Sequence, residues 1–129
     1  MKIFKKEFCG VEFEVPVENF EFPCNDLKDF PTSCGAGKFG DAITPDELVG
    51  CSISPACFIH DVAWDVAEKT RKDFRTANQM FLHNMLAIIN ADEDQTAALV
   101  TLRRGLAIGY YEAVSTAGLA IFLGEHLTA

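Results

Sequence analysis

The chain has 129 residues, 49% of them hydrophobic, and its nineteen acidic against eleven basic residues leave a net charge of −8. This length suits one domain with a real core, and the composition excludes a disordered chain. The acidic balance excludes a nucleic-acid binder, which needs a basic footprint, and disfavours electrostatic docking on anionic lipid.

Lys2, Lys5 and Lys6 are followed by no apolar stretch of signal-peptide length, so a cleaved export signal is not expected. No transmembrane segment is expected either, because the longest contiguous apolar candidate, Leu119 to Leu123, is far too short. The cysteines are Cys9, Cys24, Cys34, Cys51 and Cys57. Their odd number and the lack of a tight C-x-x-C pair argue against zinc, and leave one or two disulfides possible.

In chain order, Val11, Phe13 and Val15 alternate with Glu12 and Glu14 after Gly10, which predicts a half-exposed strand in an N-terminal β-hairpin. Residues 18–33 read as an irregular connection, with Phe20, Phe22 and Phe30 anchoring it to the core. The run Cys34 to Gly40, C-G-A-G-K-F-G, can turn carbonyls or N–H groups toward one point, since glycine tolerates unusual dihedrals. It lacks the spacing of a phosphate loop, and Lys38 is followed by Phe39. Pro45 and Asp46 make a further turn before Gly50.

A first helix is expected from Ser54, as N-cap with Pro55 at the first helical position, to about Lys69. Cys57, His60, Asp61 and Trp64 fall on it at i, i+3, i+4 and i+7 and so share a face. Thr70 and Asp73 form a variant capping box opening a second helix that runs to about Ala91, with Phe74, Ala77, Phe81, Met85 and Ile88 as core stripe. Asn78 lies within that stripe, so its amide must bond something polar on a facing element, as structural satisfaction or as the orienting partner of His60. Asp92 to Asp94 are read as a turn and cap for a third helix over about Glu93 to Ser115. Its expected apolar face is Leu99, Leu102, Leu106, Tyr110 and Ala113, while Gly105 and Gly109 are spaced to admit another backbone. His83 and His126 read as surface residues.

Three motifs in order carry a family resemblance: C-G-x-G from Cys34, C-x-x-H-D from Cys57 to Asp61, and A-x-x-x-F-L-x-N-M from Ala77 to Met85. Together they resemble phospholipase A2, and most closely the short phospholipase A2-like proteins of phages and prophages. L-R-R at Leu102 and Y-Y-E-A-V at Tyr110 extend the similarity to about two-thirds of the chain. The resemblance implies a mainly α, single-domain fold over 1–129, with a β-hairpin and irregular lead-in (1–33), a glycine-rich calcium-type loop and two antiparallel core helices (34–91), and a C-terminal helical part (92–129) built on a third long helix. It implies calcium-dependent hydrolysis of the phospholipid sn-2 ester at a membrane interface, with transient lipid contact, and a bacterial cytoplasmic or phage-associated setting.

By position, the resemblance makes His60 the general base and Asp61 a calcium ligand. The backbone carbonyls of Ser33, Gly35 and Gly37 complete the cation's protein shell, the Gly35 N–H faces the oxyanion, and Cys34–Cys57 is the implied disulfide. A hard cation bound by carboxylate and carbonyl oxygens makes this set chemically consistent. Two residues depart from the family pattern: Trp64 stands where a tyrosine is usual, and Asn78 where an aspartate orients the histidine. Asn78 can accept from the imidazole N–H but supplies no negative charge to the imidazolium. Tyr110 or Tyr111 is the expected further partner of Asn78, and Asp73 lies too far around the helix to substitute for it. The function is therefore phospholipid hydrolysis, weak or lost, or a catalytically inactive lipid-binding or interaction module. The plainest alternative is a helical protein with a structural His–Asp pair.

Overall fold

The structure, a computed structural model, describes residues 1–30 and 47–127, with no side-chain description for Lys28 and 124–127. The described chain is mainly helical, with three helices and a small antiparallel hairpin at the N-terminus.

The hairpin pairs β1, Phe4–Phe8, with β2, Val11–Val15, in a register that sets Phe4 opposite Val15 and Phe8 opposite Val11. The predicted alternation is realised: Val11, Phe13 and Val15 point into the core, whereas Glu12 is exposed. Both turn residues, Cys9 and Gly10, have positive φ, as a two-residue connection matched to strand twist requires. Phe20 and Phe30 are buried and Phe22 packs against the core, so the connection after the hairpin is anchored by aromatics as expected.

A second, two-residue hairpin, β3 at Glu47–Leu48 and β4 at Cys51–Ser52, was not expected from the sequence. Its turn places Val49 at φ 52°, an unusual state for a β-branched residue. Arg103 accounts for it: Nε donates to the Leu48 carbonyl at 3.1 Å and Nη2 to the Val49 carbonyl at 2.8 Å. The same guanidinium donates through Nη1 to Asp92 at 2.8 Å and to Gln95 at 2.9 Å. Every side of the buried cation is thus met.

Helix α1 spans Ser54–Val66, three residues shorter than expected. Its cap is Ile53 rather than Ser54, with no side-chain cap bond; instead Ser52 Oγ accepts from the Ser54 N–H at 3.4 Å. Ser54 therefore begins the helix, and Pro55 follows it inside the first turn. Helix α2 spans Arg71–Ala91 and is capped as predicted, Thr70 Oγ1 accepting from the Asp73 N–H at 3.2 Å. All five residues of its expected stripe are buried. The two helices are antiparallel: as α1 advances from His60 to Trp64, its partners on α2 retreat from Asn78 to Phe74.

Helix α3 corrects the sequence reading most. It spans Ala97–Leu127, with Thr96 accepting from the Leu99 N–H at 3.2 Å, so the acidic turn 92–94 precedes the cap rather than forming it. The helix continues through Gly118 instead of stopping near Ser115. Its most buried face is Arg103, Ala107, Val114, Gly118 and Phe122; of the expected stripe, Leu106 and Tyr110 pack against the core from its flank, Leu99 and Ala113 are half-buried, and Leu102 is 51% exposed. Among the described residues nothing outside the helix's own backbone lies within 4 Å of where a Cβ would stand on Gly105 or Gly109, so no described backbone makes the expected close approach. Over 97–123 the helix is long and apolar enough to cross a membrane by length and composition alone, with a mean hydropathy of 1.5 and only 22% of the apolar window buried. Short contiguous runs hide this property, because Arg103, Arg104 and the glycines interrupt them.

Candidate functional site

The candidate site lies where α1 faces α2. His60 is 5% exposed, and its ring is stacked on Phe81 at 4.6 Å between centroids and tilted against Trp64 at 5.1 Å. Its Nε2 lies 2.7 Å from Asn78 Oδ1. Trp64, one turn after His60 on α1, donates its indole N–H to the same oxygen at 3.2 Å.

These two contacts settle the proton arrangement. An indole nitrogen only donates, so the Asn78 oxygen, not its nitrogen, must face Trp64. An amide oxygen only accepts, so His60 Nε2 must carry the hydrogen it shares with Asn78. In the neutral ring the lone pair then resides on Nδ1. Asn78 Nδ2 is buried without a hydrogen-bond partner among the described residues. Leaving a buried amide N–H₂ unsatisfied is costly, on the order of 1–3 kcal/mol.

The expected contact between Asn78 and His60 is therefore present, but the further partner is Trp64 rather than Tyr110 or Tyr111. Trp64 itself is held by apolar neighbours: its ring meets Phe74 at 5.7 Å and Phe122 of α3 at 5.2 Å. Lys69 closes the end of this stack, its Nζ donating to the Trp64 carbonyl at 3.1 Å and lying 4.5 Å above the Phe122 ring. Phe122 lies beyond the expected end of α3, so sequence reasoning missed its support of the site; its spacing from Val114 and Gly118 was the available signal.

Asp73, set aside as a substitute for Asn78, is occupied elsewhere. Its carboxylate accepts from the Met1 amino group at 2.9 Å and from the Glu68 N–H at 2.9 Å. His83 is part-exposed, 3.8 Å from Glu14, and stands apart from the site.

Asp61 follows His60 on α1 and is half-buried. Of the expected calcium set it alone falls within the described residues; Ser33, Gly35 and Gly37, and with them the oxyanion role of Gly35, lie outside them. Among the described residues no group of three or more His, Cys, Asp or Glu side chains could hold a metal ion. One helix-borne carboxylate fits a cation that takes its other protein ligands from backbone carbonyls, and fits poorly with an all-side-chain site. Cys57 is disulfide-bonded, whereas Cys9, Cys24 and Cys51 are free; the Cys34 half of the expected pair lies outside the described residues.

Comparisons with protein-family models, with curated proteins and with solved structures return no match.

Proposed function

We propose that this chain is a calcium-dependent ester hydrolase of the phospholipase A2 type, attacking the sn-2 ester of a phospholipid at a rate held down by Asn78. The observation that carries this reading is the shared Asn78 oxygen, which fixes His60 with its hydrogen on Nε2 and its basic lone pair on Nδ1. A base held in one tautomer between aromatic rings is suited to take a proton from an attacking water.

In this reading Asp61 and the backbone carbonyls of Ser33, Gly35 and Gly37 would hold calcium, with the Gly35 N–H aimed at the oxyanion. The bound cation supplies polarisation of the ester carbonyl and countercharge for the oxyanion. His60 takes the water proton at Nδ1 and becomes an imidazolium, while Asn78 keeps the ring oriented. An aspartate in place of Asn78 would also stabilise that positive charge. A neutral amide does not, which places the enzyme on the slow side. In the serine-protease triad the corresponding aspartate-to-asparagine change lowers kcat by about 10⁴, partly through the wrong tautomer. Here Trp64 holds the amide so that the required tautomer survives, and the expected loss is smaller.

The test is fatty-acid release from mixed phospholipid micelles with calcium or with chelator, comparing the native chain, His60→Ala and Asn78→Asp. We expect chelator to abolish release and His60→Ala to lower it by roughly 10²–10⁴-fold. Asn78→Asp is expected to raise turnover by about 10-fold or more, with a KM change of less than about 3-fold, because its effect falls on the imidazolium formed during reaction. Release that survives His60→Ala sinks the mechanism.

A second reading, a catalytically inactive lipid-binding module, is favoured by the exposed apolar face of α3. Its signature is calcium-independent vesicle binding without fatty-acid release in the native chain.

A further inference from the structure

The hairpin turn and the bend at residues 24–26 bring two free thiols onto one short piece of backbone. Cys9 Sγ donates to the Asn25 carbonyl at 3.3 Å, and Cys24 Sγ donates to the Asp26 carbonyl at 3.2 Å. Those carbonyls belong to adjacent residues, whose Cα atoms are about 3.8 Å apart. The neighbouring aromatics hold the two segments together: Phe8 and Phe22 are stacked at 4.2 Å, and Phe8 and Phe22 each meet Phe30 edge-on. Cys9 also occupies a left-handed position, φ 53°, where turn chemistry favours asparagine, aspartate or glycine and gives cysteine no advantage. Cys9 is exposed and Cys24 half-buried, so a small oxidant can reach both.

We propose that Cys9 and Cys24 are a redox pair that closes into a disulfide, stapling the tip of the β-hairpin to the segment that leads toward the glycine loop. With glutathione disulfide as oxidant, the Cys9 thiolate attacks one sulfur, forming a mixed disulfide and releasing one glutathione thiolate. The Cys24 thiolate then displaces the second glutathione. Two protein thiols are oxidised to one disulfide, and one glutathione disulfide is reduced to two thiols, so electrons and hydrogens balance. The buried Cys51 stands outside the pair.

The test uses the full chain, folded, with glutathione disulfide in excess of glutathione. Combined cleavage after lysine and glutamate separates Phe8–Glu12 from Phe22–Lys28, and each fragment carries one cysteine. We expect these fragments joined after oxidation, the protein lighter by two hydrogens, and a melting temperature higher by roughly 5–10 °C than that of the thiol form, from closure of a loop about 15 residues long. In Cys24→Ser, Cys9 should be trapped as its glutathione adduct with the shift lost, and Cys51→Ser should behave as the native chain. Glutathione adducts on Cys9 and Cys24 without a crosslink, a crosslink from Cys24 to Cys51, or a crosslink with no rise in melting temperature would each overturn the proposal.

Discussion

Helix α2 buries two asparagines, Asn78 and Asn84, and treats them differently. Asn84 accepts from the Glu14 N–H at 2.8 Å and donates to the Glu14 carbonyl at 2.9 Å, as a neighbouring strand residue would. Both halves of its amide are used, and the hairpin is docked on the helix through them. Asn78 spends its oxygen on two donors, His60 and Trp64, and its nitrogen has no partner among the described residues. The oxygen satisfies two buried donors, the Trp64 indole N–H and the His60 Nε2–H, which an apolar residue would leave unpaired, and the amide N–H₂ is the cost of that arrangement. The paired amide of Asn84 docks the hairpin, whereas the amide of Asn78 orients a histidine, which is the arrangement the proposed hydrolysis uses.

The sharpest way to break this contrast is to remove the satisfied amide. Asn84→Ala strips a backbone N–H and a backbone carbonyl of their partners and opens a small cavity, so a loss of about 2–4 kcal/mol is expected. Urea denaturation reads that loss, and fatty-acid release per folded molecule should stay within about 2-fold of the native chain. A turnover deficit larger than that would mean that the two asparagines do not divide the work as argued.

A smaller effect is expected on the other side. Trp64→Phe keeps an aromatic ring between Phe74 and Phe122 but removes the indole N–H, at a cost of about 1 kcal/mol in stability. With that donor gone, nothing prevents the Asn78 amide from turning its nitrogen toward His60, which would move the imidazole hydrogen to Nδ1 and disable the base. Turnover should therefore fall by about 10-fold or more, well beyond what 1 kcal/mol of stability explains. Nitrogen chemical shifts of His60 report the tautomer directly, and an unchanged Nε2–H form in the variant would refute the coupling.

This coupling explains how far the site could be read from the sequence. Trp64 and Asn78 stand out separately as departures from the phospholipase A2 pattern, and their types alone give no sign that they meet at one oxygen. Distance decides that, and distance comes from the antiparallel packing of α1 on α2. The hairpin was legible because alternation over Val11 to Val15 has one physical solution once a face is buried. Helix α2 was legible because Thr70, Asp73 and its five-residue stripe agree. Helix α3 was misphased for a reason that local pattern does not contain: Arg103 faces inward, where the Leu48 and Val49 carbonyls accept from it. A charged residue at a core position reads as a surface residue until its acceptors are in place.

Asp73, the third buried polar group of α2, belongs with Asn84 by the same criterion, and acid tests it. Its carboxyl is held below the ordinary carboxylate value, chiefly by the hydrogen bond from the Met1 amino group, with the Glu68 N–H adding to the effect against the opposing cost of burial. A carboxylate whose pKa is lower folded than unfolded stabilises the fold fully above its unfolded pKa, near about 3.9. That stabilisation disappears as the pH falls through the lower folded value, when the proton taken up removes the charge paired with the Met1 amino group. The expected contribution is on the order of 1 kcal/mol, because the gain from the ion pair is offset by the cost of burying the carboxylate. Stability curves of the native chain and Asp73→Asn should therefore differ by a constant amount from about pH 5 to 7 and converge as the pH falls through the depressed folded value. Curves that stay parallel to the lowest pH would mean that the Met1–Asp73 pair contributes nothing to the folded state and that Asp73 acts through packing alone. Because Asp73 touches neither His60 nor Asn78, the same substitution should leave the pH profile of fatty-acid release unmoved, which separates a stability group from a site group on one helix.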